Sequence, residues 1–462
     1  MSDMTNEIFD LNGDALRDNS IKSKLLREYR SDSTPVDTDP NIVINVRDTS
    51  EWINLSEAYL EISGTSKGSA AGSLAADVTA GNIGLEAGGA SSLFSTSRLR
   101  VANNLVESNE VYSHYNAFMK QLLNSCDDYT RSIAIQNSFV LDTTTAADDV
   151  PFTATFTTPA GVYVPNIVTP VTVVPSATYN SGFATRKALF GLSTAARSKQ
   201  VFYLPLRFLF DFCEVQKVIK GCPIRIELVK RGLDEMVWGS GTTSFFSIDK
   251  CSLWMPIVQP ALPVLASLET QLSRGLNMPW SYTNWRTYAS DSQTAGGNRR
   301  YTFNSQSEKP LGAILYCKVN KDAGVNQRNF NNFAFDNCLT TQCQLLINGM
   351  RYPYTAYNPV WGAGPTQDTG RVYAGLMEYM QKFKGEMDTG SLLNVSNHRS
   401  LYPLYYFDFG SLDDLPSNGG YQISVELQCQ DQALGMVMFL TVLSDTKWNI
   451  VGGDQGLQII QN

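Results

Sequence analysis

Only two histidines, His114 and His398, occur in the 462 residues. His114 lies between Tyr112 and Tyr115, and His398 lies in "NVSNHRS"; neither has an obvious catalytic partner nearby. A helix-start or polar packing role is expected for His114 and a loop role for His398. Glycoside hydrolysis needs no histidine, only two carboxylates flanking one bond. Glu227 and Glu426 attract notice because each sits in a similar "EL" segment, but equal places in two segments do not bring two carboxylates into one cleft. Cys338 and Cys343 have four residues between them, a spacing zinc sites tolerate, yet no second close pair completes a ligand set. The eight cysteines, including Cys126, Cys213, Cys222, Cys251, Cys317 and Cys429, are expected to be buried free thiols. Trp280, Tyr282, Trp285 and Tyr288 can be drawn as a sugar-stacking surface, or as rings that brace a loop or an intersubunit contact. The chain has none of the glycine-rich phosphate loops or the His-Glu-x-x-His pattern of nucleotide and zinc chemistry. "NLS" at 54–56 and "NVS" at 394–396 match the glycosylation acceptor pattern, which matters only in a secreted chain.

With so little chemistry to position, the elements themselves carry the information. A chain of this length predicts two domains of about 200 residues each. Aromatic residues are 11%, which favours strands, while charged residues are only 17%, against roughly 25% in ordinary soluble domains. That surface suits a protein covered by neighbours. The formal net charge of −8 without a dense Lys/Arg block argues against nucleic-acid recognition. No apolar run of membrane-spanning length occurs, and "MSDMTNEIFDLNGD" lacks the features of a secretory signal, so synthesis in the cytoplasm is expected.

Residues 1–40 read as an N-terminal arm with nine acids and five bases. Within it, "ALRDNSIKSKLLREY" predicts an amphipathic helix with Ile21, Leu25 and Tyr29 on one face, poised to contact the body or a neighbouring subunit. Alternating strand text starts at Ile42, and residues 64–90 predict a long loop. "HYNAFMKQLLNSC" predicts a helix with Tyr115, Phe118, Leu122 and Cys126 on one face. More strands follow, with a domain junction expected at 235–245, giving a first domain at 41–240 and a second at 241–462 with a C-terminal strand extension. The second half opens with strand text around Ile248 to Val258 and a loop-rich aromatic section, and then repeats the order: strands, one helix ("RVYAGLMEYMQKF", with Val372, Leu376, Met380 and Phe383 at spacings of four and three), and strands.

The two halves also share words. "FLFDF" at 208–212 and "YYFDF" at 405–409 align Phe210 with Phe407, Asp211 with Asp408 and Phe212 with Phe409, each 197 residues apart, and Leu204 with Leu401 at the same interval. "IRIEL" at 224–228 and "ISVEL" at 423–427 align at 199, placing Ile224, Ile226 and Leu228 against Ile423, Val425 and Leu427. These echoes predict an all-β protein of two tandem Greek-key sandwiches or jelly rolls, each with a short accessory helix and long loops.

In their order and spacing, "SSLFSTSRLRVANNLVESNEVYSHYNAFMKQLLN", "FYLPLRFLFDF…GCPIRIELVKR" and "CSLWMPIVQPAL" resemble double jelly-roll major capsid proteins, closest to the Polinton, adintovirus and virophage-like branch. The resemblance spans most of residues 40–450. It implies packing and junction roles for Leu93, Phe94, Asn104, Tyr112, Tyr115, Leu122, Leu123, Phe210, Leu228, Arg231, Trp254, Met255 and Pro256. The repeat extends these roles to Phe212, Phe407, Phe409 and Leu427. It further implies a non-enzymatic homotrimer that forms pseudo-hexameric capsomers in an icosahedral virion capsid around double-stranded DNA. No cofactor is implied, and the partners would be neighbouring capsomers with penton and minor capsid proteins. The competing expectation is a carbohydrate-binding β-sandwich, or a carboxylate-dependent glycoside hydrolase.

Overall fold

The computed structural model describes residues 20–32, 39–47, 50–67, 83–145, 152–155, 172–175, 179–189, 199–239, 245–275, 277–291, 297–304, 308–319, 331–361, 368–384, 391–409, 420–430, 435–453 and 456–461. Alternating side chains with branched and aromatic residues on one face dictate strands, and the chain forms β1 (Ile21–Arg30), β2 (Asn41–Val46), β3 (Trp52–Asn54), β4 (Tyr59–Lys67), β5 (Ile83–Leu85), β6 (Phe94–Val101) and β7 (Asn104–Asn109). Two helices follow, α1 (Ser113–Asn124) and α2 (Asp127–Arg131), then β8 (Phe152–Thr155), β9 (Thr172–Pro175) and α3 (Ser181–Leu189). The first roll ends with β10 (Lys199–Pro205), β11 (Val218–Ile219), β12 (Ile224–Lys230), β13 (Val237–Gly239) and β14 (Phe245–Pro260).

Helix α4 (Leu262–Ser273) leads to β15 (Asn277–Ala289), β16 (Gly297–Asn304), β17 (Pro310–Val319), β18 (Thr340–Ile347) and β19 (Met350–Tyr357). The chain closes with α5 (Gly370–Lys384), α6 (Val395–Ser400), β20 (Tyr405–Asp408), β21 (Gln422–Cys429), β22 (Met436–Gly453) and β23 (Gly456–Gln461).

One sheet of each roll has the same topology. In the first roll β1, β14, β4 and β10 lie side by side, and in the second β15, β22, β17 and β20 do so. The facing sheets run β2-β12-β6-β7 and β16-β21-β18-β19. Each pair of sheets encloses an apolar core: Ile44, Leu60, Leu99, Leu204, Ile226 and Leu253 in the first, Leu315, Leu345, Phe407, Val425 and Leu440 in the second.

The register decides which echoes are true equivalences. Ile226 stands opposite Ile44 and Leu99, and Val425 stands opposite Tyr301 and Leu345. The hairpins that follow turn through Ala102–Asn103 and Asn348–Gly349, all four at positive φ, the two-residue turn that matches strand twist. Leu99 to Leu345 and Ala102 to Asn348 are both 246 apart, so "IRIEL" and "ISVEL" occupy the same place. The "FDF" phrases do not. Ser31 N–H donates to Cys251 O (3.2 Å) as Ser290 N–H does to Met438 O (2.8 Å), fixing the sheets on each other. From those anchors Leu253 and Leu440 correspond, then their opposites Leu60 and Leu315, then Leu204 and Tyr405. The structural interval on this strand is 201, not 197, because a 3-10 turn at Leu206–Phe208 intervenes before Phe210. Leu401 accordingly ends α6 rather than matching Leu204.

Other expectations are corrected. The arm helix is instead the strand β1, paired along β14 from Ser252 to Pro260. Ile21, Leu25 and Tyr29 are spaced by four, which puts them on one side of a helix and equally on one side of a strand, and the long β14 supplies the pairing that decides. Residues 1–19 lie outside the described residues. Since β14 belongs to the first sheet, the change of roll falls at α4, later than the expected 235–245. The section at 277–289 is a strand rather than a loop. The end of the expected 64–90 loop is buried, with β5 paired to β13; residues 68–82 are outside the described residues. Helix α3 was not foreseen within 135–189.

Candidate functional site: the junction between the rolls

The two rolls are joined through a third apolar cluster that both supply. Tyr115, Phe118 and Leu122 of α1, with Leu123, pack with Trp285, Phe333, Phe335, Leu376, Tyr379, Tyr402, Tyr406 and Phe439. Periodicity explains the first set, since residues three and four apart share a helix face. Tyr112, half-buried ahead of α1, meets Phe439 edge-on at 5.6 Å, and Tyr379 Oη donates to Asn124 Oδ1 at 2.8 Å.

Strand β15 is held along its length by the first roll. Phe212 stacks on Trp280 (4.8 Å, 20°), whose Nε1–H donates to Phe212 O (3.1 Å). Trp285 N–H donates to Asp211 Oδ2 (2.7 Å), and Asn116 Nδ2 donates to Trp285 O (2.6 Å). Asp211 is itself paired with Lys120 of α1, both fully buried. Glu107, also buried, accepts from Phe212 N–H (3.1 Å). Burial, with Glu107 nearby, pushes the Asp211 carboxyl well up, and burial raises Glu107, while Lys120 opposes both shifts. The first "FDF" is therefore the clasp of one roll on the next. The second places Asp408 against Lys382 of α5, again a lysine from a helix earlier in the same roll, but near solvent.

The remaining residues singled out above fall as follows. Phe210 and Leu228 lie in the first core, and Phe407, Phe409 and Leu427 in the second. Leu93, Phe94 and Met255 are buried, and Asn104 begins β7 at an exposed turn. Arg231 is buried against Glu86. Trp254 lies on the outer face of its sheet beside Pro256, stacked on Tyr59 (6.4 Å) with Nε1–H donating to Glu61 (2.8 Å). Sequence reasoning missed Lys120, Asn116 and β1. A usable signal existed, since "REY" at 27–29 and "RTY" at 286–288 are 259 apart, the same interval as Ser31 and Ser290.

The residues considered for chemistry are occupied structurally. Trp280, Tyr282 and Trp285 are buried, so they do not form a sugar platform. Glu227 engages Arg225 (2.7 Å), Arg100 (3.7 Å) and Arg98 (3.8 Å); Glu426 engages Arg351 (3.8 Å) and Arg300 (3.9 Å) on a different sheet. His398 is a buried residue of α6, not a loop residue, with Nε2 3.0 Å from Leu404 O. Burial holds both imidazoles low, with Arg231 and Lys318 adding to the effect at His114. Seven of the eight cysteines are buried, Cys126 is partly exposed, and none is bridged. Among the described residues no cluster of metal-ligating side chains occurs, and no helix is long and apolar enough to cross a membrane.

Comparison with known proteins agrees with this architecture. A chain of the Sputnik virophage superposes with a TM-score of 0.58 at 13% identity, over 98% of this chain and 91% of that one. The Faustovirus major capsid protein gives 0.55 at 9% identity (94% and 92% covered), and the mavirus major capsid protein 0.51 at 10% (97% and 92%). At these identities the likeness concerns the fold. No curated protein matches in sequence. The double jelly roll-like domain family matches residues 182–442, more than half of the chain, and the chain belongs to that family.

Proposed function

We propose that this protein is a major capsid protein, a structural subunit without catalysis. The observation that carries the proposal is the near-duplicate topology of two rolls welded side by side through β15, α1 and the Phe210–Phe212 turn. A subunit with two like rolls contributes two similar corners, so three copies around a closed threefold axis present six and tile as a pseudo-hexagon. The likeness to Faustovirus and mavirus major capsid proteins supports the same function. The homotrimeric capsomer would pack with other capsomers, penton proteins and minor capsid proteins in an icosahedral virion. The sequence resemblance extends the proposal to a double-stranded DNA genome and to synthesis in the host cytoplasm. The polar, charge-poor surface suits a chain largely covered by neighbours. A carbohydrate-binding or glycoside-hydrolase function is not favoured, because the aromatic residues and carboxylates that prompted it are committed to packing and to separate arginine pairs.

The test is purification of the protein alone and with its assembly partners, followed by native mass measurement and particle imaging. Trimers and pseudo-hexagonal arrays are expected. A monomer that forms no lattice under any assembly condition and binds a glycan would overturn the proposal.

A further inference from the structure

A second group of buried polar side chains lies at the junction, apart from the Lys120–Asp211 clasp. Glu86 follows β5 in the first roll and is 1% exposed; one carboxylate oxygen accepts from Arg231 Nη1 and the other from Nδ2 of Asn332 in the second roll. Asn332 is buried as well, and its oxygens face a lysine. Lys318 Nζ, near the end of β17, donates to Asn332 O (2.6 Å) and to Tyr115 Oη of α1 (2.8 Å), and it lies 3.4 Å from Asn332 Oδ1.

Aromatic rings close this group off. Tyr115 and Phe333 stand 5.6 Å apart between centroids, and Lys318 Nζ lies 5.1 Å from the Tyr115 ring. Lysine is a strong nucleophile only when uncharged, a form favoured by desolvation and by a second cation nearby. Lys318 is 8% exposed, and Arg231 is a second buried cation in the same group. An amine beside a carboxamide carbon, with a carboxylate on the carboxamide nitrogen, is the arrangement that exchange of one amine for another requires.

We propose that Lys318 and Asn332 are a site of intramolecular isopeptide formation, with Glu86 of the first roll as the catalytic carboxylate. Nζ adds to Cγ of Asn332 and the carbonyl electron pair moves onto Oδ1; it returns as the Cγ–Nδ2 bond breaks. Two protons leave Nζ and two reach Nδ2, relayed by Glu86. An ammonium and a carboxamide become a secondary amide and a free ammonium ion, so atoms and charge balance without a co-reactant. The fold supplies the proximity that separate molecules lack. Glu86 and Tyr115 come from the first roll, Lys318 and Asn332 from the second, so the reaction needs the rolls docked. The amide ties β17 to the segment that enters the shared apolar cluster at Phe333. It forms within one chain and does not depend on the capsomer proposed above.

The test is intact mass and peptide mapping of the full chain, freshly folded and after prolonged warm incubation. The reacted wild type should be lighter by one ammonia, and trypsin should release residues 301–321 joined to residues 329–351, because Lys318 is no longer cleaved. Glu86→Gln keeps an acceptor for Asn332 Nδ2 but carries no proton, and should slow the reaction about 100-fold. Lys318→Arg keeps the positive charge; it should show unchanged circular dichroism and retain its full mass. Ammonia loss from Lys318→Arg, or from wild type without the joined fragments, would mean that asparagine cyclises on its own backbone and would overturn the proposal. Folded wild type that keeps its full mass throughout would overturn it too. An undiminished rate in folded Glu86→Gln would overturn the role given to Glu86.

Discussion

Lys120→Met is the sharpest perturbation of the junction. Methionine keeps most of the lysine stem but removes the cation paired with Asp211 and near Glu107, where lysine and aspartate are 1% and 0% exposed. Breaking a buried pair by removing one partner costs about 3–5 kcal/mol, because the other charge remains uncompensated. If the rolls unfold together, roughly 1 kcal/mol per degree applies at this chain length, so the melting temperature should fall by about 4 °C at pH 8. The sign with pH follows from the carboxyls. Both are raised in the fold by burial, so their contribution is fully present below the unfolded carboxylate range and is lost as pH rises through the folded values. Without Lys120 those values rise further, so the penalty should shrink as pH falls from 8 toward 5. Lys120→Met with Asp211→Asn, which leaves no lone charge at that pair, should recover part of the loss at pH 8. Urea unfolding followed by tryptophan fluorescence reads all three, since Trp280 and Trp285 lie at the junction. A cost below about 1 kcal/mol, or one that does not vary with pH, would refute the assignment of this pair as the electrostatic centre of the weld.

Trp280→Ala should destabilise the protein by about 3–5 kcal/mol in chemical denaturation, through loss of the Phe212 stack and the cavity left behind. Gly89→Ala should cost more than about 1 kcal/mol by the same measurement, because φ is +60° and a Cβ would lie 2.3 Å from Asn137 O. Replacing Ala102–Asn103 with the Asn–Gly pair that roll two uses at 348–349 should stabilise the first hairpin by about 0.5 kcal/mol, read as a raised melting temperature. Alkylation of the native protein should label Cys126 first; burial pushes the thiols of Cys222 and Cys251 up to about 12, and rapid labelling of either would contradict their placement.

Much of the fold was legible where strand alternation was strong and local. "IRIEL" and "ISVEL" landed in the same register because β12 and β21 are central strands, each fixed by partners on both sides. The helix at 113–124 was legible for the same reason, an apolar face at a fixed period. What failed was decided by distant partners. The spacing of Ile21, Leu25 and Tyr29 satisfies both periods, and only β14, over two hundred residues away, makes it a strand. The tryptophan-rich β15 looked loop-like because its alternation breaks at Asn284 and Trp285, adjacent residues that are both buried where the first roll covers the strand. The "FDF" echo led to the right strand but the wrong register, since the turn at 206–208 is an insertion that a matching phrase conceals. Its structural content, an aspartate clasped by a lysine from an earlier helix of the same roll, required the tertiary structure.

The central claim is that this chain builds a shell from paired rolls. Imaging the protein after co-expression with its assembly partners tests it most directly. Threefold units with six similar corners, tiled into closed particles, are the predicted result; discrete monomers with no lattice, in the presence of every partner, would contradict it.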